Sequence, residues 1–174
     1  EVCAALLQEH GMTLAAAESC TGGMIASKLI SVPGISEYFL EGAVTYSNEA
    51  KMRRLGVKRE TLEAHTAVSE AVAREMAEGV RATSGASLGL ATTGIAGPDG
   101  GTAERPVGLV YIALAGAKGA VVRELHLSGN RERIRNAASL NALVLLRRYL
   151  CGSLTNCWCK KSEHMLELFQ HPDY

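Results

Sequence analysis

The sequence predicts an α/β protein, a three-layer α/β/α domain with a mixed, mostly parallel five-stranded sheet that contains one antiparallel strand. Short apolar segments alternate with segments of helical periodicity over the first half of the chain, which is typical of parallel strands joined by helices. Two later apolar segments are separated by a short connection with Gly116 and Gly119, which indicates a hairpin. The composition, 47% hydrophobic and 21% charged, is sufficient for a buried core.

The predicted strands are short apolar segments bounded by turn residues, and in chain order they cover 13–17, 41–47, 87–92, 107–115 and 120–127. The predicted helices have apolar residues three and four positions apart, and they cover 2–8, 21–30, 49–55, 60–65, 70–84 and 131–150. Hydroxyl and amide side chains are expected to cap three of these helices, at Asn48, Ser69 and Asn130. Glycines are expected to end three of them, at Gly11, Gly56 and Gly85.

The connections predict the strand directions. The first three strands are joined through helices and should be parallel, whereas the fourth is entered by a long loop and left through a hairpin, so it should be antiparallel. Ligands in such sheets bind outside the carboxyl ends of the parallel strands. These ends bring Glu18-Ser19, Tyr46-Ser47 and Thr92-Thr93 to one crevice.

The totals limit the classes of partner and the location. Eighteen basic and eighteen acidic residues cancel, so an extended nucleic-acid surface is not expected. No segment approaches the roughly 20 apolar residues of a membrane span, and no membrane partner is expected. Five loosely spaced cysteines do not form a disulfide framework, which favours a cytoplasmic location. The composition changes after Leu150, so we expect one domain over 1–150 and an appendage over 151–174.

The segment ESCTGG, 18–23, is the first candidate site. Ser19 lies where a strand turns into a helix, and the free N–H groups of a helix start favour an anion or a developing oxyanion. The candidate substrate-binding residues of this segment are Glu18, Thr21, Gly22 and Gly23. The alternative is a serine cap followed by small residues that pack a helix on the sheet. Cys20 is the rival nucleophile, although a small buried packing residue is the favoured interpretation.

The segment TYSNEAK supplies a candidate base. Lys51 lies one helical turn after Ser47 and can point back toward Ser19 if the strand end faces the crevice. A lysine can take the proton of a serine when its pKa falls from about 10.4 toward roughly 7–8 by burial or nearby charge. The alternatives are an exposed surface lysine and, for Tyr46, a half-buried strand aromatic.

Two further segments supply candidates for substrate binding. The loop TGIAGPDGG contains Thr93, Gly94 and Gly97, and it matches neither the dinucleotide fingerprint nor the phosphate loop. Loops of this length are usually functional or mobile, and the alternative is an ordinary connection. The last helix opens with arginines, which oppose its dipole and favour an anionic partner; they are Arg131, Arg133 and Arg135. A solvated face is the alternative for each of them.

Four blocks, AESCTGGMIASKL, GAVTYSNEAKMRRLGV, HTAVSEAVAREMAEG and TTGIAGPDGGTAERPVGLVYIAL, resemble the CinA C-terminal domain family over about 14–150. Characterised members are nicotinamide mononucleotide deamidases, which release ammonia from the nicotinamide amide. The resemblance implies a serine nucleophile at Ser19, a lysine base at Lys51 and catalytic participation of Tyr46. It also places the family's threonine at Thr93 and a binding arginine between 131 and 135.

The resemblance further implies a small-molecule nucleotide substrate, no metal, no cofactor and a homo-oligomer. In the mechanism expected from it, N–H groups of Thr21 to Gly23 hold the oxyanion, Tyr46 relays a proton to ammonia, and Glu18 orients the lysine or a water. Two other classes stay open. One is a non-catalytic nucleotide- or phosphate-binding module linked to competence or the DNA-damage response, and the other is a cysteine hydrolase that uses Cys20.

Overall fold

The structure, a computed structural model, describes residues 1–152 and consists of one five-stranded sheet with helices on both faces. The strands are β1 Leu14–Glu18, β2 Phe39–Val44, β3 Leu88–Gly94, β4 Leu109–Gly116 and β5 Gly119–His126. The helices are α1 Val2–His10, α2 Met24–Ile30, α3 Asn48–Leu55, α4 Arg59–His65, α5 Glu70–Ser84 and α6 Arg131–Leu150. A 3-10 turn over Ile35–Glu37 precedes β2.

The strand order across the sheet is β2-β1-β3-β4-β5. β1 pairs in parallel with both β2 and β3, while β4 is antiparallel to both β3 and β5. One strand, β4, therefore runs against the other four, and the predicted fold class is confirmed. The direction changes because β4 and β5 are joined by a tight hairpin, whereas helices return the chain between the first three strands.

Each face of the sheet carries its own apolar layer. The central strand β1 is buried along its whole length, as expected for a strand covered on both faces. Leu14 and Ala16 face a layer formed with α1, α2 and α6, while Ala15 and Ala17 face a layer formed with α3, α4 and α5. The small alanine side chains of β1 allow both helical layers to approach the middle of the sheet closely.

The structure corrects the predicted boundary between β2 and α3. β2 ends at Val44 rather than at 47, so Tyr46 and Ser47 lie in the connection to α3. The side chain of Ser47, not that of Asn48, caps α3 by accepting a hydrogen bond from the Ala50 N–H at 3.1 Å. This connection places the start of α3 directly beside the carboxyl end of β1, since Thr45 N donates to Glu18 O at 2.9 Å.

The other predicted helix ends are mostly confirmed. Ser69 and Asn130 accept hydrogen bonds from the N–H groups of Val72 and Arg133, and the three predicted terminal glycines have left-handed backbone. The second helix begins at Met24 instead of 21, because 19–23 form a separate turn. Within residues 1–152 no helix has both the length and the apolar character needed to cross a bilayer. The predicted appendage lies outside the described residues from 153 onward.

Contact between α3 and α5 leads to a stability prediction. A Cβ at Gly79 in α5 would lie 1.9 Å from the carbonyl oxygen of Leu55. Alanine is favoured over glycine in a helix by about 1 kcal/mol, yet Gly79→Ala should destabilise the domain because the obstacle is backbone. The measurement is urea unfolding of Gly79→Ala beside Glu78→Ala, an exposed neighbour expected to change stability by less than about 0.5 kcal/mol. A Gly79→Ala domain as stable as the parent would contradict this packing.

Candidate active site

Ser19 is positioned by a short turn at the carboxyl end of β1. Its N–H donates to Thr92 O at 3.1 Å, which extends the pairing of β1 with β3 by one residue. The N–H of Gly22 then donates to Ser19 O at 3.2 Å and closes the turn. Gly22 and Gly23 have φ values of +60° and +95°, which only glycine adopts without strain. We call residues 19–23 the Ser19 turn.

Lys51 projects from α3 toward the Ser19 turn and is only 1% exposed. Its Nζ lies 3.1 Å from the Ser19 Oγ, 2.9 Å from the Thr45 carbonyl oxygen and 3.2 Å from the Tyr46 carbonyl oxygen. Burial lowers the pKa of the Lys51 amine from its ordinary 10.5, and the nearby Cys20 and Glu49 side chains oppose this less strongly. The predicted reach from Lys51 to Ser19 is therefore present.

The three oxygens around the Lys51 amine suit either protonation state. An ammonium group has three N–H donors, one for each oxygen. A neutral amine keeps two N–H donors, which the two carbonyls accept, and its lone pair then faces the hydroxyl of Ser19. Among the described residues no carboxylate forms a salt bridge with Lys51, so loss of a proton from the ammonium breaks no ion pair. This arrangement can remove a proton from Ser19.

Ser19 and Lys51 line a cavity of about 210 Å³ at the carboxyl ends of the parallel strands. Thr93 and Gly94 of β3 form one wall, and Ala67 and Val68 of the connection before α5 form another. The Thr93 hydroxyl donates to Ala67 O at 2.7 Å and fixes these two walls together. A wider groove of about 710 Å³ beside α5 contains neither Ser19 nor Lys51.

Tyr46 and Arg131 also line this cavity and are both exposed. The Arg131 guanidinium donates to Gly97 O at 2.7 Å and lies 3.3 Å from the Tyr46 hydroxyl. Gly97 thus contributes a carbonyl that holds the arginine, rather than a surface of the cavity. The hydroxyl of Tyr46 contacts Arg131, and its carbonyl oxygen contacts Lys51. Among the described residues no hydrogen bond joins the Tyr46 hydroxyl to Lys51, so the expected proton relay through that hydroxyl stays a prediction.

Cys20 also lines the cavity, whereas the candidate substrate-binding residues Glu18, Thr21, Gly22 and Gly23 do not. The carboxyl oxygens of Glu18 accept hydrogen bonds of 2.9–3.1 Å from the N–H groups of Gly23, Ile25 and Ala26, so they bind the start of α2. The Thr21 hydroxyl lies 2.8 Å from that of Thr92 and is buried. The expectations that Glu18 orients Lys51 and that Gly22 and Gly23 keep free N–H groups are wrong, because internal acceptors already bind these groups.

Two arginines of α6 are also absent from the cavity. Arg135 donates to the carbonyl oxygens of Cys20 and Thr21, at 3.0 Å each, so it contacts the back of the Ser19 turn. Arg133 is exposed, and its side chain packs against Gly129. Of the three predicted arginines, only Arg131 could bind an anion in the cavity.

Sequence reasoning missed the carbonyl of Thr45 and the wall formed by Ala67 and Val68. No sequence signal marks Thr45, because its backbone oxygen makes the contact. The wall follows Thr66, whose φ of 63° and ψ of 168° are rare for a residue other than glycine. The block HTAVS contains this wall, but strand-end reasoning has no means to place a loop that follows a helix.

A comparison with family models matches residues 1–150 to the CinA C-terminal domain. The chain belongs to this family. Curated relatives named as competence-damage inducible proteins include one from Acetivibrio thermocellus, 60% identical over 149 residues, and one from Clostridium botulinum strain Okra, 57% identical over 150 residues. Each alignment covers 86% of this chain but only 36% or 37% of the relative. This CinA domain thus spans just over a third of their length.

Solved structures agree with the family assignment. A CinA superfamily protein from Klebsiella pneumoniae 700603 has a TM-score of 0.84 at 35% identity, covering 87% of this chain and 94% of that one. The competence/damage inducible protein CihA from Agrobacterium tumefaciens has a TM-score of 0.81 at 39% identity, covering 87% and 96%. The CinA domain described here therefore shares its fold with these proteins.

The environment of Cys20 predicts low thiol reactivity. Burial raises the pKa of the Cys20 thiol to about 11, so almost none of it is thiolate at neutral pH. In the folded domain, iodoacetamide should label Cys20 at least about tenfold more slowly than the exposed Cys151, and denaturant should remove the difference. Peptide mass spectrometry measures both rates. Equal labelling in the folded domain would contradict this and revive Cys20 as a nucleophile.

Proposed function

We propose that this CinA domain hydrolyses the carboxamide of nicotinamide mononucleotide to nicotinic acid mononucleotide and ammonia. The observation that carries the proposal is the buried Lys51 amine, 3.1 Å from the Ser19 hydroxyl in a cavity at the carboxyl ends of the parallel strands. Burial lowers the pKa of this lysine, and a lysine of lowered pKa can serve as the base that activates a neighbouring alcohol as the nucleophile for acyl transfer. The choice of nicotinamide mononucleotide as the substrate rests on the resemblance of Ser19 and Lys51 to the family's serine and lysine.

In the first step, Ser19 Oγ attacks the carboxamide carbon while neutral Lys51 takes the hydroxyl proton. The carbonyls of Thr45 and Tyr46 hold the resulting ammonium, since each already accepts a hydrogen bond from Nζ. The negative oxygen of the tetrahedral intermediate needs N–H donors. Cys20 follows Ser19 and lines the cavity, and we assign its N–H to this oxygen in place of those of Gly22 and Gly23, which donate to Ser19 O and Glu18 Oε2.

In the second step, Lys51 returns its proton to the departing nitrogen, and ammonia leaves with the electrons of the C–N bond. Lys51 is then neutral again and can take a proton from a water that attacks the acyl-enzyme. Lys51 returns this proton to the Ser19 oxygen as the acyl–oxygen bond breaks, which releases the carboxylic acid and restores the Ser19 hydroxyl and the neutral amine. One base serves both half-reactions because every atom that gains or loses a proton, the Ser19 Oγ, the leaving nitrogen and the attacking water, is bonded to or attacks the same carbonyl carbon beside Lys51 Nζ.

The cavity suits a cationic ring that carries an anionic group. Within residues 1–152 no acidic side chain lines it, and a pyridinium ring beside Lys51 would favour the neutral amine by charge repulsion. The exposed Tyr46 ring can stack on the cation. Arg131, whose guanidinium is held by Gly97 at the mouth, supplies the positive charge for the phosphate. A cavity of about 210 Å³ holds the ring, and the ribose phosphate extends to the mouth.

A non-catalytic binding module linked to competence or DNA damage agrees with the names of the relatives. Such a module does not account for a buried lysine against an alcohol, because an isolated ammonium is costly to bury and adds nothing to phosphate recognition there. Self-association, cytoplasmic location and the boundary between domain and appendage stay predictions.

Removal of either reacting group should abolish ammonia release. We expect Ser19→Ala and Lys51→Met to lower kcat by at least about 10³-fold, since single members of such catalytic units typically cost this much or more. The measurement is enzymatic detection of ammonia from nicotinamide mononucleotide. Ser27→Ala and Lys118→Met, which alter exposed side chains of the same types, serve as controls and should retain activity. A Lys51→Met domain with near-parental kcat would contradict the proposed base.

The pH dependence should follow the protonation of Lys51. Because burial lowers its pKa and only the neutral amine accepts a proton, kcat/KM should rise as pH rises through that pKa and level off below 10.5. Rates are measured from about pH 7.5, where the substrate phosphate, with a second pKa near 6, no longer titrates. A profile that falls over the same range would contradict the assignment of Lys51 as the base.

A further inference from the structure

The Ser19 turn is held from two sides by groups of opposite charge. On the α2 side, the Glu18 carboxyl oxygens accept three backbone N–H groups, those of Gly23, Ile25 and Ala26. On the α6 side, Arg135 Nε donates to Cys20 O and Nη2 donates to Thr21 O, each at 3.0 Å. The main chain of the turn is therefore fixed through its N–H groups at one end and its carbonyl groups at the other.

The contacts of Arg135 fix the residue that follows the nucleophile. Cys20 lies beside Ser19 in the lining of the cavity, and the proposed mechanism assigns its N–H to the oxyanion. Arg135 binds the carbonyl oxygen of this same residue, and its second hydrogen bond, to Thr21 O, fixes the next peptide group as well. Arg135 thus acts on the oxyanion donor through the main chain, without entering the cavity.

The surrounding chain leaves room for this guanidinium. Gly22 has φ +60°, and a Cβ at that position would lie 3.0 Å from Arg135 Nη2. Arg135 also lies near the start of α6, where a positive charge is unfavourable to the helix dipole. Two carbonyl acceptors offset that disadvantage. These features favour a dedicated contact between Arg135 and the Ser19 turn over an incidental surface arginine.

We propose that Arg135 is a positioning residue that orients the Ser19 turn and holds the Cys20 N–H in place as an oxyanion donor. The inference rests on the proposed function for its catalytic meaning. Its effect should concentrate on the transition state, because the substrate carbonyl is neutral before attack and the oxygen becomes negative only afterwards. Loss of Arg135 should therefore lower kcat and leave KM nearly unchanged.

The test compares Arg135→Met, Arg135→Lys and the control Arg133→Met, which removes the same charge from the same helix end. Loss of a whole oxyanion donor lowers kcat by about 10²–10³-fold, so loss of its support should cost on the order of tenfold or more. We expect this for Arg135→Met with little change in KM, partial recovery in Arg135→Lys, and parental kinetics in Arg133→Met. Thermal unfolding of each variant measures folding separately.

A second readout does not require the nucleotide substrate. Phenylmethanesulfonyl fluoride labels an activated serine: the Ser19 Oγ–S bond forms, the S–F bond breaks, fluoride leaves and Lys51 takes the hydroxyl proton. The sulfonyl oxygens gain negative charge in this step, so the labelling rate of Arg135→Met should fall in proportion to its kcat. Intact-protein mass spectrometry measures the rate.

The outcomes distinguish this inference from the proposed function. Parental kcat and labelling rate in folded Arg135→Met would overturn the inference while the deamidase proposal stands. If Arg135→Met does not fold, a folded Arg135→Lys with parental kcat and labelling rate would equally overturn it, because the single amine cannot reproduce both contacts. If the parent domain releases no ammonia yet labels at Ser19, the substrate is wrong, and the labelling rates alone decide the role of Arg135.

Discussion

The contact between the Lys51 amine and the Ser19 hydroxyl sets the requirements for the rest of the site. A lysine that is 1% exposed has lost most of its hydration, and among the described residues it has no carboxylate partner in compensation. The charged form is therefore disfavoured, and the carbonyls of Thr45 and Tyr46 satisfy the N–H groups that remain. Burial thereby favours the neutral amine of Lys51, which is the form that can accept a proton from Ser19.

The fold supplies this contact by bringing separate chain segments to one edge of the sheet. β1 ends in the Ser19 turn, the connection after β2 brings in α3 with Lys51, and β3 contributes Thr93 beside them. Because β1 pairs in parallel with β2 and β3, their carboxyl ends coincide. The α6 helix completes the site from the far side, with Arg131 at the cavity and Arg135 behind the turn. The strands and helices therefore bring the groups that the proposed reaction uses together, on the elements themselves or in the short segments that directly follow them.

Sequence reasoning predicted the fold class and the pairing of Ser19 with Lys51, because both follow from strand order and from the shared edge of parallel strands. It failed where several uses of a polar group compete locally. Glu18 was expected to orient the lysine or a water, yet three N–H groups at the start of α2, those of Gly23, Ile25 and Ala26, lie nearer along the chain and bind its carboxyl group. Spacing places a residue near an edge but does not show which backbone groups are already bonded, and Arg135 was misassigned to the substrate for the same reason.

The most direct test of this account is an NMR titration of the Lys51 side chain in the folded domain, with lysine labelled at Cε and Nζ and the signal assigned from Lys51→Met. The account predicts a Lys51 pKa clearly below its ordinary 10.5, since the amine is buried without a carboxylate partner. A Lys51 pKa at or above 10.5 would contradict it, because the lysine would then be a buried cation and could not take the proton of Ser19.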